Sequence, residues 1–247
     1  MSTHIDRLLP NPSETLDDEQ ILEHYAMPSE RWLRMNFISS LDGAATQAGR
    51  SGGLGDEADR RVFALLRRLA DVVLVGAGTI RAEEYGGFRL GPVSAAWRTA
   101  RGLPAHPVLA IVSGALDLDP SSAVFADAPV RPIVYTRGAA PADRRAALSR
   151  VADVVDAGGD ELDPRAVRAD LEARGLVRIH SEGGPHVFGS FIAAGVVDEL
   201  CLTIAPTLEA GVAPRIAVSG AAAPQQMRLA GLLRSGDELF LRMVGRE

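Results

Sequence analysis

The stretch at residues 176–194 reads LVRIHSEGGPHVFGSFIAA, an apolar strand pattern, a glycine turn and an apolar helix pattern in direct succession. Pro185 suits the first helical turn, because proline lacks an N–H that would have no partner there. Gly183 and Gly184 would let a ligand approach bare backbone, and the free N–H groups of a helix N-terminus attract phosphate. The stretch therefore predicts a strand, a turn and a helix with a binding site for a cofactor phosphate. A tight turn without a ligand is the alternative.

A second glycine turn, with Gly76 and Gly78, follows the apolar run at residues 71–75. Two glycine turns at the C-terminal ends of strands in an α/β pattern indicate one extended ligand across the sheet edge. Arg81 stands where a full dinucleotide fingerprint would need glycine or alanine. The two turns together therefore predict a nicotinamide cofactor bound without that fingerprint.

The segment after the second turn favours NADPH over NADH. No acidic residue occurs between Gly91 and Val112 to hold a ribose 2′-hydroxyl, whereas Arg98 and Arg101 do occur there. Arginine recognises phosphate through paired hydrogen bonds, so both are candidates for a 2′-phosphate. A solvated helix face is the alternative for both side chains.

Composition excludes several kinds of chemistry. All 26 basic residues are arginine, which excludes a lysine Schiff base and a P-loop lysine. Cys201 is the one cysteine, and His180 and His186 fit no common zinc spacing, so we expect no disulfide and no metal. The net charge of −6 gives no reason to expect nucleic acid. No apolar run reaches membrane-spanning length and no signal-peptide core is present, which predicts a cytoplasmic protein.

Strand and helix patterns alternate along the chain and predict an α/β fold, a mostly parallel central sheet with helices on both faces. We expect residues 115–129 to form a surface loop and residues 238–244 a final edge strand, paired with residues 226–231. The other predicted strands lie at residues 32–40, 71–75, 107–112, 131–136, 151–155, 176–180 and 199–205. The predicted helices lie at residues 56–70, 141–150, 164–174 and 187–194.

Motifs in residues 32–207 occur in an order that resembles one family. A strand ending in SLDG comes first, a helix and VGAGT follow, then an acidic pair, and EGGP with a VDEL strand comes last. The chain resembles the reductase domain of bifunctional riboflavin-biosynthesis deaminase–reductases, which has a dihydrofolate-reductase-like fold. The resemblance implies an N-terminal extension at residues 1–30 and a reductase domain at residues 31–247. The chain would be a stand-alone reductase, because the 247 residues leave no room for the family's deaminase half as well.

The resemblance implies NADPH-dependent reduction of 5-amino-6-(5-phosphoribosylamino)uracil, in which the ribose is opened and becomes a ribityl chain. It also implies a homodimer, with a small phosphorylated pyrimidine as partner and neither nucleic acid nor membrane. Glu182 would be the catalytic glutamate, either a proton donor or a substrate anchor, while the cofactor supplies hydride. A glutamate that only balances the helix N-terminus is the alternative.

The resemblance also implies roles for other residues of this chain at positions that match the family's substrate and cofactor sites. On the substrate side the resemblance implies Asn36, Ser51, Arg67 and Arg89, with the two arginines at the substrate phosphate. Ser113 would lie near the adenosine 2′-phosphate, and residues 183–187 would line the pyrophosphate. The full set implied for the cofactor is Ile38, Ser39, Gly53, Gly76, Gly78, Thr79, Glu83, Ser113, Gly183, Gly184, Pro185, His186 and Val187.

Two positions depart from the family's pattern. Asn36 stands where the family usually has a lysine, so a hydrogen-bond donor replaces a cation. Glu83-Glu84-Tyr85 replaces two aspartates and a proline. A reductase of another ring, such as dihydrofolate, and a non-catalytic NADP-binding protein are therefore alternatives. Arg67 favours the phosphorylated pyrimidine, and Glu182 weighs against the non-catalytic alternative.

Overall fold

A computed structural model describes residues 4–27, 31–83 and 85–246 of the chain. Within these residues the strands are β1 (Asp6–Leu9), β2 (Trp32–Ser39), β3 (Val72–Gly76), β4 (Val108–Val112), β5 (Ile133–Thr136), β6 (Asp153–Asp156), β7 (Arg178–Ser181), β8 (Glu199–Ile204), β9 (Met227–Ser235) and β10 (Glu238–Gly245). The helices are α1 (Asp18–His24), α2 (Glu57–Leu69), α3 (Ala77–Ala82), α4 (Pro92–Thr99), α5 (Ala123–Ala126), α6 (Ala142–Leu148), α7 (Pro164–Ala173) and α8 (Pro185–Ala193). A short 3₁₀ turn spans Ser51–Gly53.

All ten strands join one sheet in the order β1-β9-β10-β8-β2-β7-β3-β4-β5-β6. Neighbouring strands from β8 to β6 are parallel. By contrast, β10 is antiparallel to β8 and β9, and β1 is antiparallel to β9. The predicted α/β fold with a mostly parallel sheet is therefore confirmed.

Helices cover both faces of the sheet because the central strands are apolar on both sides. All five residues of β3, VVLVG, are buried. Its Leu74 packs with α7 and α8 on one face, and Val73 packs with α6 on the other. The helix α2 packs on that second face further along the sheet, against β10 and α1. Strands buried on both faces are typical of parallel sheets enclosed by helices.

Two predictions about elements are wrong, and some elements were not predicted. The strand β10 is not an edge strand, because a tight turn at Gly236 folds β9 back beside it and places it between β8 and β9. Residues 115–129 are not only a loop, because α5 buries Val124 and Phe125 in the core. The N-terminal segment contributes β1 and α1, which the sequence pattern did not predict. The domain boundary at residue 31 stays a prediction.

The carboxyl ends of β2, β7, β3 and β4 lie side by side at one edge of the sheet. In open α/β sheets this edge is where ligands bind. Of the helices in the described ranges, none is long and apolar enough to cross a membrane.

Candidate active site

A cleft of about 860 Å³ opens at the carboxyl ends of these four strands. It is large enough for a dinucleotide and a small substrate together. Most of the residues implied by the family resemblance line it. They are Asn36, Ile38, Ser51, Arg67, Gly76, Gly78, Thr79, Glu83, Ser113, Glu182, Gly184, Pro185, His186 and Val187.

Four implied residues lie outside the cleft wall: Ser39, Gly53, Arg89 and Gly183. Ser39 is buried and its hydroxyl donates to the carbonyl of Ser40. Gly183 lies directly behind the wall, where its carbonyl accepts a hydrogen bond of 2.7 Å from the Gly76 amide. The two glycine turns therefore touch each other and form one continuous backbone surface.

Only glycine fits at the centre of this surface. Gly183 has a φ of +86°, and a Cβ there would lie 2.7 Å from the ring of Phe37. A Cβ on Gly184 would lie 2.7 Å from the Thr79 hydroxyl. Gly184 is the residue before α8, Pro185 begins the helix, and the first turn of α8 holds no acidic residue. Bare backbone and an unopposed helix N-terminus together suit a pyrophosphate group.

Glu182 lies at the bottom of the cleft, held by two cleft-lining side chains. The Arg67 guanidinium donates through Nε to Oε1 at 2.6 Å and through Nη2 to Oε2 at 2.7 Å. The Tyr85 hydroxyl donates to Oε2 at 2.6 Å. Arg67 is itself flanked by two aromatic rings, Phe63 at 4.3 Å and Phe88 at 5.1 Å from its central carbon. These contacts fix the carboxylate in one orientation.

The protonation states follow from this arrangement. Burial alone would raise the pKa of Glu182, but the charge and hydrogen bonds of Arg67 outweigh it and hold the pKa below its usual range. Burial and the adjacent carboxylate raise the pKa of Tyr85 well above its usual value. Burial lowers the pKa of His180 to about 4. At neutral pH, Glu182 is therefore ionised, Tyr85 keeps its proton and His180 is neutral.

The helix α2 contributes a stripe of three side chains to the cleft, of which only Arg67 was predicted as a site residue. Asp59, Phe63 and Arg67 all line the cleft, four residues apart. Residues at this spacing lie on one face of a helix, about 6 Å apart along its axis. The spacing was visible in the sequence, and the stripe lies directly beside the buried Val62 and Leu66 on α2.

The Ser51 turn is tied to the segment after α3. Glu83 accepts hydrogen bonds at 2.9 Å from both the backbone amide and the hydroxyl of Ser51. Both residues line the cleft. Glu83 thus holds the Ser51 turn against the C-terminal end of α3.

The prediction that Arg98 and Arg101 are candidates for binding a 2′-phosphate is wrong. Arg98 is completely buried and donates to the carbonyls of Arg68 and Ala70, because α4 packs on the C-terminal end of α2 and covers its free carbonyl groups. Arg101 pairs with Glu19 and stacks on Trp97. Neither arginine lines the cleft.

Another arginine lines the same cleft as Ser113. Arg81 lines the cleft together with Ser113 and Asp117. Its guanidinium donates to the Asp117 carbonyl at 2.7 Å and lies 3.7 Å from the Asp117 carboxylate. In the sequence pattern, Arg81 stands out only as a break in the dinucleotide fingerprint. Within the described ranges no group of three or more His, Cys, Asp or Glu side chains could hold a metal ion.

Comparison with known proteins agrees with this geometry. The model of the RibD C-terminal domain matches residues 31–241. The 2,5-diamino-6-ribosylamino-4(3H)-pyrimidinone 5′-phosphate reductase of Methanothermobacter thermautotrophicus is 30% identical over 187 residues, 75% of this chain and 82% of that protein. The riboflavin biosynthesis protein RibD of Bacillus amyloliquefaciens is 26% identical, over 86% of this chain and 55% of the longer protein.

A solved structure extends the agreement to the whole fold. The crystal structure of a pyrimidine reductase-like protein from Corynebacterium diphtheriae matches with a TM-score of 0.84 and 31% identity, over 94% of this chain and 100% of that chain. Fold and cleft together define a reductase with a dihydrofolate-reductase-like fold. The chain belongs to the RibD C-terminal domain family, whose named relatives are reductases of riboflavin biosynthesis. The predicted family and class of enzyme are confirmed.

Proposed function

We propose that this chain uses NADPH to reduce the sugar of a phosphorylated ribosylaminopyrimidine to a ribityl chain. The observation that carries the proposal is the Glu182 carboxylate, which is buried, paired with Arg67, and lines the same cleft as Gly76, Gly78 and Gly184. The substrate is either the uracil implied by the family resemblance or the diaminopyrimidinone in the archaeal relative's name.

The residues present suit a dinucleotide. Gly76, Gly78 and Gly184 offer bare backbone, and the α8 N-terminus offers free N–H groups to a pyrophosphate. The bound cofactor would supply hydride from its nicotinamide ring. We assign the 2′-phosphate to Ser113 and Arg81, in place of Arg98 and Arg101, and this assignment is the reason for NADPH over NADH.

Glu182 acts in this proposal as an anchor and not as the proton donor. The reacting sugar is an open-chain imine, whose carbon accepts hydride, and the sugar oxygen released by ring opening takes up a proton from solvent. A protonated imine nitrogen is cationic. An ionised, fixed carboxylate stabilises such a cation as it forms, without reorganisation. Asn36, where the family usually has a lysine, can donate a hydrogen bond to the sugar.

The remaining roles stay proposals drawn from the resemblance. They are the nicotinamide contacts of Ile38 and Ser39, the loop contacts of Ser51 and Gly53, the cofactor contacts of Thr79 and Glu83, and the phosphate contacts of Arg67 and Arg89. Because Arg67 binds Glu182 in this structure, its phosphate role would require one guanidinium to serve both anions. A cytoplasmic location also stays a prediction.

We also propose a homodimer. On the sheet face opposite α1 and α2, Leu202, Leu241 and Leu232 lie side by side on β8, β10 and β9. All three are only partly buried. A row of leucines across three strands is the kind of surface that a second subunit covers.

The proposal is tested by following NADPH oxidation with each of the two ribosylaminopyrimidine phosphates as substrate. We expect oxidation that depends on one of them, with a product heavier than the substrate by two hydrogens. Oxidation without such a product, or none with either compound, would contradict the proposal.

A further inference from the structure

Tyr85 lines the cleft and contacts Glu182, but none of the roles assigned above belongs to it. Its hydroxyl donates at 2.6 Å to Glu182 Oε2, the oxygen that also accepts from Arg67 Nη2. Glu182 Oε1 accepts from Arg67 Nε, while His180 Nε2 lies 3.7 Å from it, too far for a hydrogen bond. The carboxylate is therefore held from two directions, by a cation on α2 and by a neutral hydroxyl from the segment after α3.

The Tyr85 side chain is anchored both by packing and through its backbone. Its ring packs on the core cluster that contains Ile80 and Phe88. Its backbone amide donates to the Ile80 carbonyl at 3.1 Å. Arginine is among the side chains that lose the most rotamer freedom when they are fixed, because its chain has many rotatable bonds. Of the two partners of Glu182, Tyr85 is therefore the stiffer one and sets the direction of the carboxylate.

The helix α3 connects this contact to the cofactor side of the cleft. Its six residues begin at Ala77, inside the second glycine turn, and Tyr85 follows shortly after its end. Six helical residues span about 9 Å. The bare backbone that suits a cofactor and the hydroxyl that holds Glu182 thus belong to one short, rigid element. This element fixes the distance between the carboxylate and a cofactor bound at the turn.

A hydroxyl at this position departs from the pattern of the family. Tyr85 falls where the family usually has a proline. Proline has neither a hydroxyl nor a backbone N–H, so it could not donate a hydrogen bond to the glutamate. The contact is therefore a property of this chain and not of the family motif.

We propose that Tyr85 is a positioning residue that aims the Glu182 carboxylate at the reacting imine. The inference rests on the proposed function, in which this carboxylate stabilises a cation as it forms. Such stabilisation depends on a charge that already points in the right direction before the reaction. Tyr85 acts through Glu182 and transfers no proton itself, because burial and the adjacent carboxylate raise its pKa well above the usual value.

The test is Tyr85→Phe, which keeps the ring in the core and removes only the hydroxyl. We expect kcat to fall by about tenfold or more, since hydrogen bonds to charged groups contribute on that scale. KM should stay within about twofold of the wild-type value, because the contact matters where the cation forms and not in the ground state. Steady-state kinetics with the ribosylaminopyrimidine phosphate that the wild type reduces measures both constants. Wild-type kcat in Tyr85→Phe would overturn the inference.

The pH profile distinguishes positioning from a general loss of stability. Within the described residues three groups face this carboxylate: Arg67 on α2, Tyr85 after α3 and His180 on β7, which is neutral above about pH 4. The Tyr85 hydrogen bond helps to hold the pKa of Glu182 below its usual range. Without it that pKa rises, so the acid limb of kcat/KM should move to higher pH, by less than in Arg67→Met. An unchanged acid limb would also overturn the inference.

Tyr135→Phe is the matched control. Tyr135 is buried as well, and its hydroxyl donates to the Asp170 carboxylate at the same distance of 2.6 Å, but it does not line the cleft. The control variant should have a lower melting temperature with unchanged kcat and an unchanged acid limb. An equal loss of kcat in both variants would assign the effect to stability and contradict the positioning role.

A measurement without turnover separates this inference from the proposed function. Proton NMR of the wild-type protein should show a downfield signal from the Tyr85 hydroxyl that is lost in Tyr85→Phe, kept in Tyr135→Phe and shifted in Glu182→Gln. This signal without reduction of either pyrimidine would support the contact and contradict the reductase proposal. Reduction of a pyrimidine by a protein without this signal would support the reductase proposal and overturn the role of Tyr85.

Discussion

Glu182 and Arg67 behave as one unit at the scale of single residues. Their two parallel hydrogen bonds, at 2.6 and 2.7 Å, are the strongest kind of ion pair that side chains make. Removing one partner of a buried pair leaves the other without compensation, at a cost of about 3–5 kcal/mol. Substitutions of either residue should therefore change both the catalytic rate and the free energy of unfolding. Each test should measure both quantities.

Glu182→Gln should keep the cleft but lose the negative charge. We expect kcat to fall by about a hundredfold or more, because a preorganised charge no longer faces the reacting imine. NADPH affinity should stay equal or rise slightly, since a negative charge near the pyrophosphate has gone. Steady-state kinetics and calorimetry check this, with the exposed Glu161→Gln as control. Wild-type kcat in Glu182→Gln would end the catalytic role.

Arg67→Met should change the pH dependence of activity. In the wild type Arg67 holds the pKa of Glu182 below its usual range, so Glu182 stays ionised through the neutral region. Without Arg67, burial remains and raises that pKa, so activity should fall as the pH drops through the raised value. Arg67→Lys keeps the charge and should shift the acid limb less. Matching pH profiles of kcat/KM for wild type and Arg67→Met would contradict this.

Residues in motifs could be predicted from the sequence, and residues placed by packing could not. Glu182 and Gly184 follow from one short stretch, because a strand, a turn and a helix fix them locally. Arg98 could not be predicted, since its contacts depend on how α4 lies against α2. The partner of Glu182 was equally hidden, because Arg67 lies 115 positions away along the chain.

The hairpin of β9 and β10 carries a titratable group at the scale of elements. Glu238 begins β10 and is buried near Asp56 at the start of α2. Burial and then the Asp56 carboxylate raise the pKa of Glu238 to about 8. This hairpin is therefore linked to the N-terminus of the helix that lines the cleft.

Glu238→Gln should stabilise the protein at high pH. The folded wild type keeps a proton on Glu238 that the unfolded chain releases, so its free energy of unfolding falls as pH rises from the unfolded pKa to about 8. The variant lacks this loss, on the order of a few kcal/mol. Melting curves of both proteins should show that the melting temperature of the variant exceeds that of the wild type by a margin that grows as the pH rises across this range. The exposed Asp237→Asn is the control, and parallel curves for Glu238→Gln and wild type would contradict the expectation.

Strong apolar periodicity made most elements predictable. The run at residues 71–75 became β3 (Val72–Gly76), a shift of one residue. By contrast, β1 has four residues and pairs with β9, more than 220 positions away, so nothing local marks it as a strand. The position of β10 between β8 and β9 could not be predicted either, because strand order depends on which strands pair after folding.

The row of leucines on β8, β10 and β9 leads to a prediction for the whole molecule. We expect a twofold homodimer at micromolar concentration by light scattering. Leu241→Arg places a charge in the middle of the row and should give a monomer with its cleft intact. Val212→Arg, at a fully exposed position, should leave the dimer unchanged. A wild-type monomer would contradict the proposed assembly.

We propose that hydride passes within this cleft from NADPH to the sugar of a phosphorylated ribosylaminopyrimidine. The most direct measurement uses NADPH carrying deuterium on the transferred position of its nicotinamide and locates the label in the product by mass spectrometry. We expect one deuterium in the ribityl chain, at the carbon bonded to the ring amine, in the wild type but not in Glu182→Gln at matched reaction times. A product labelled elsewhere, or NADPH oxidised without label in the product, would contradict it.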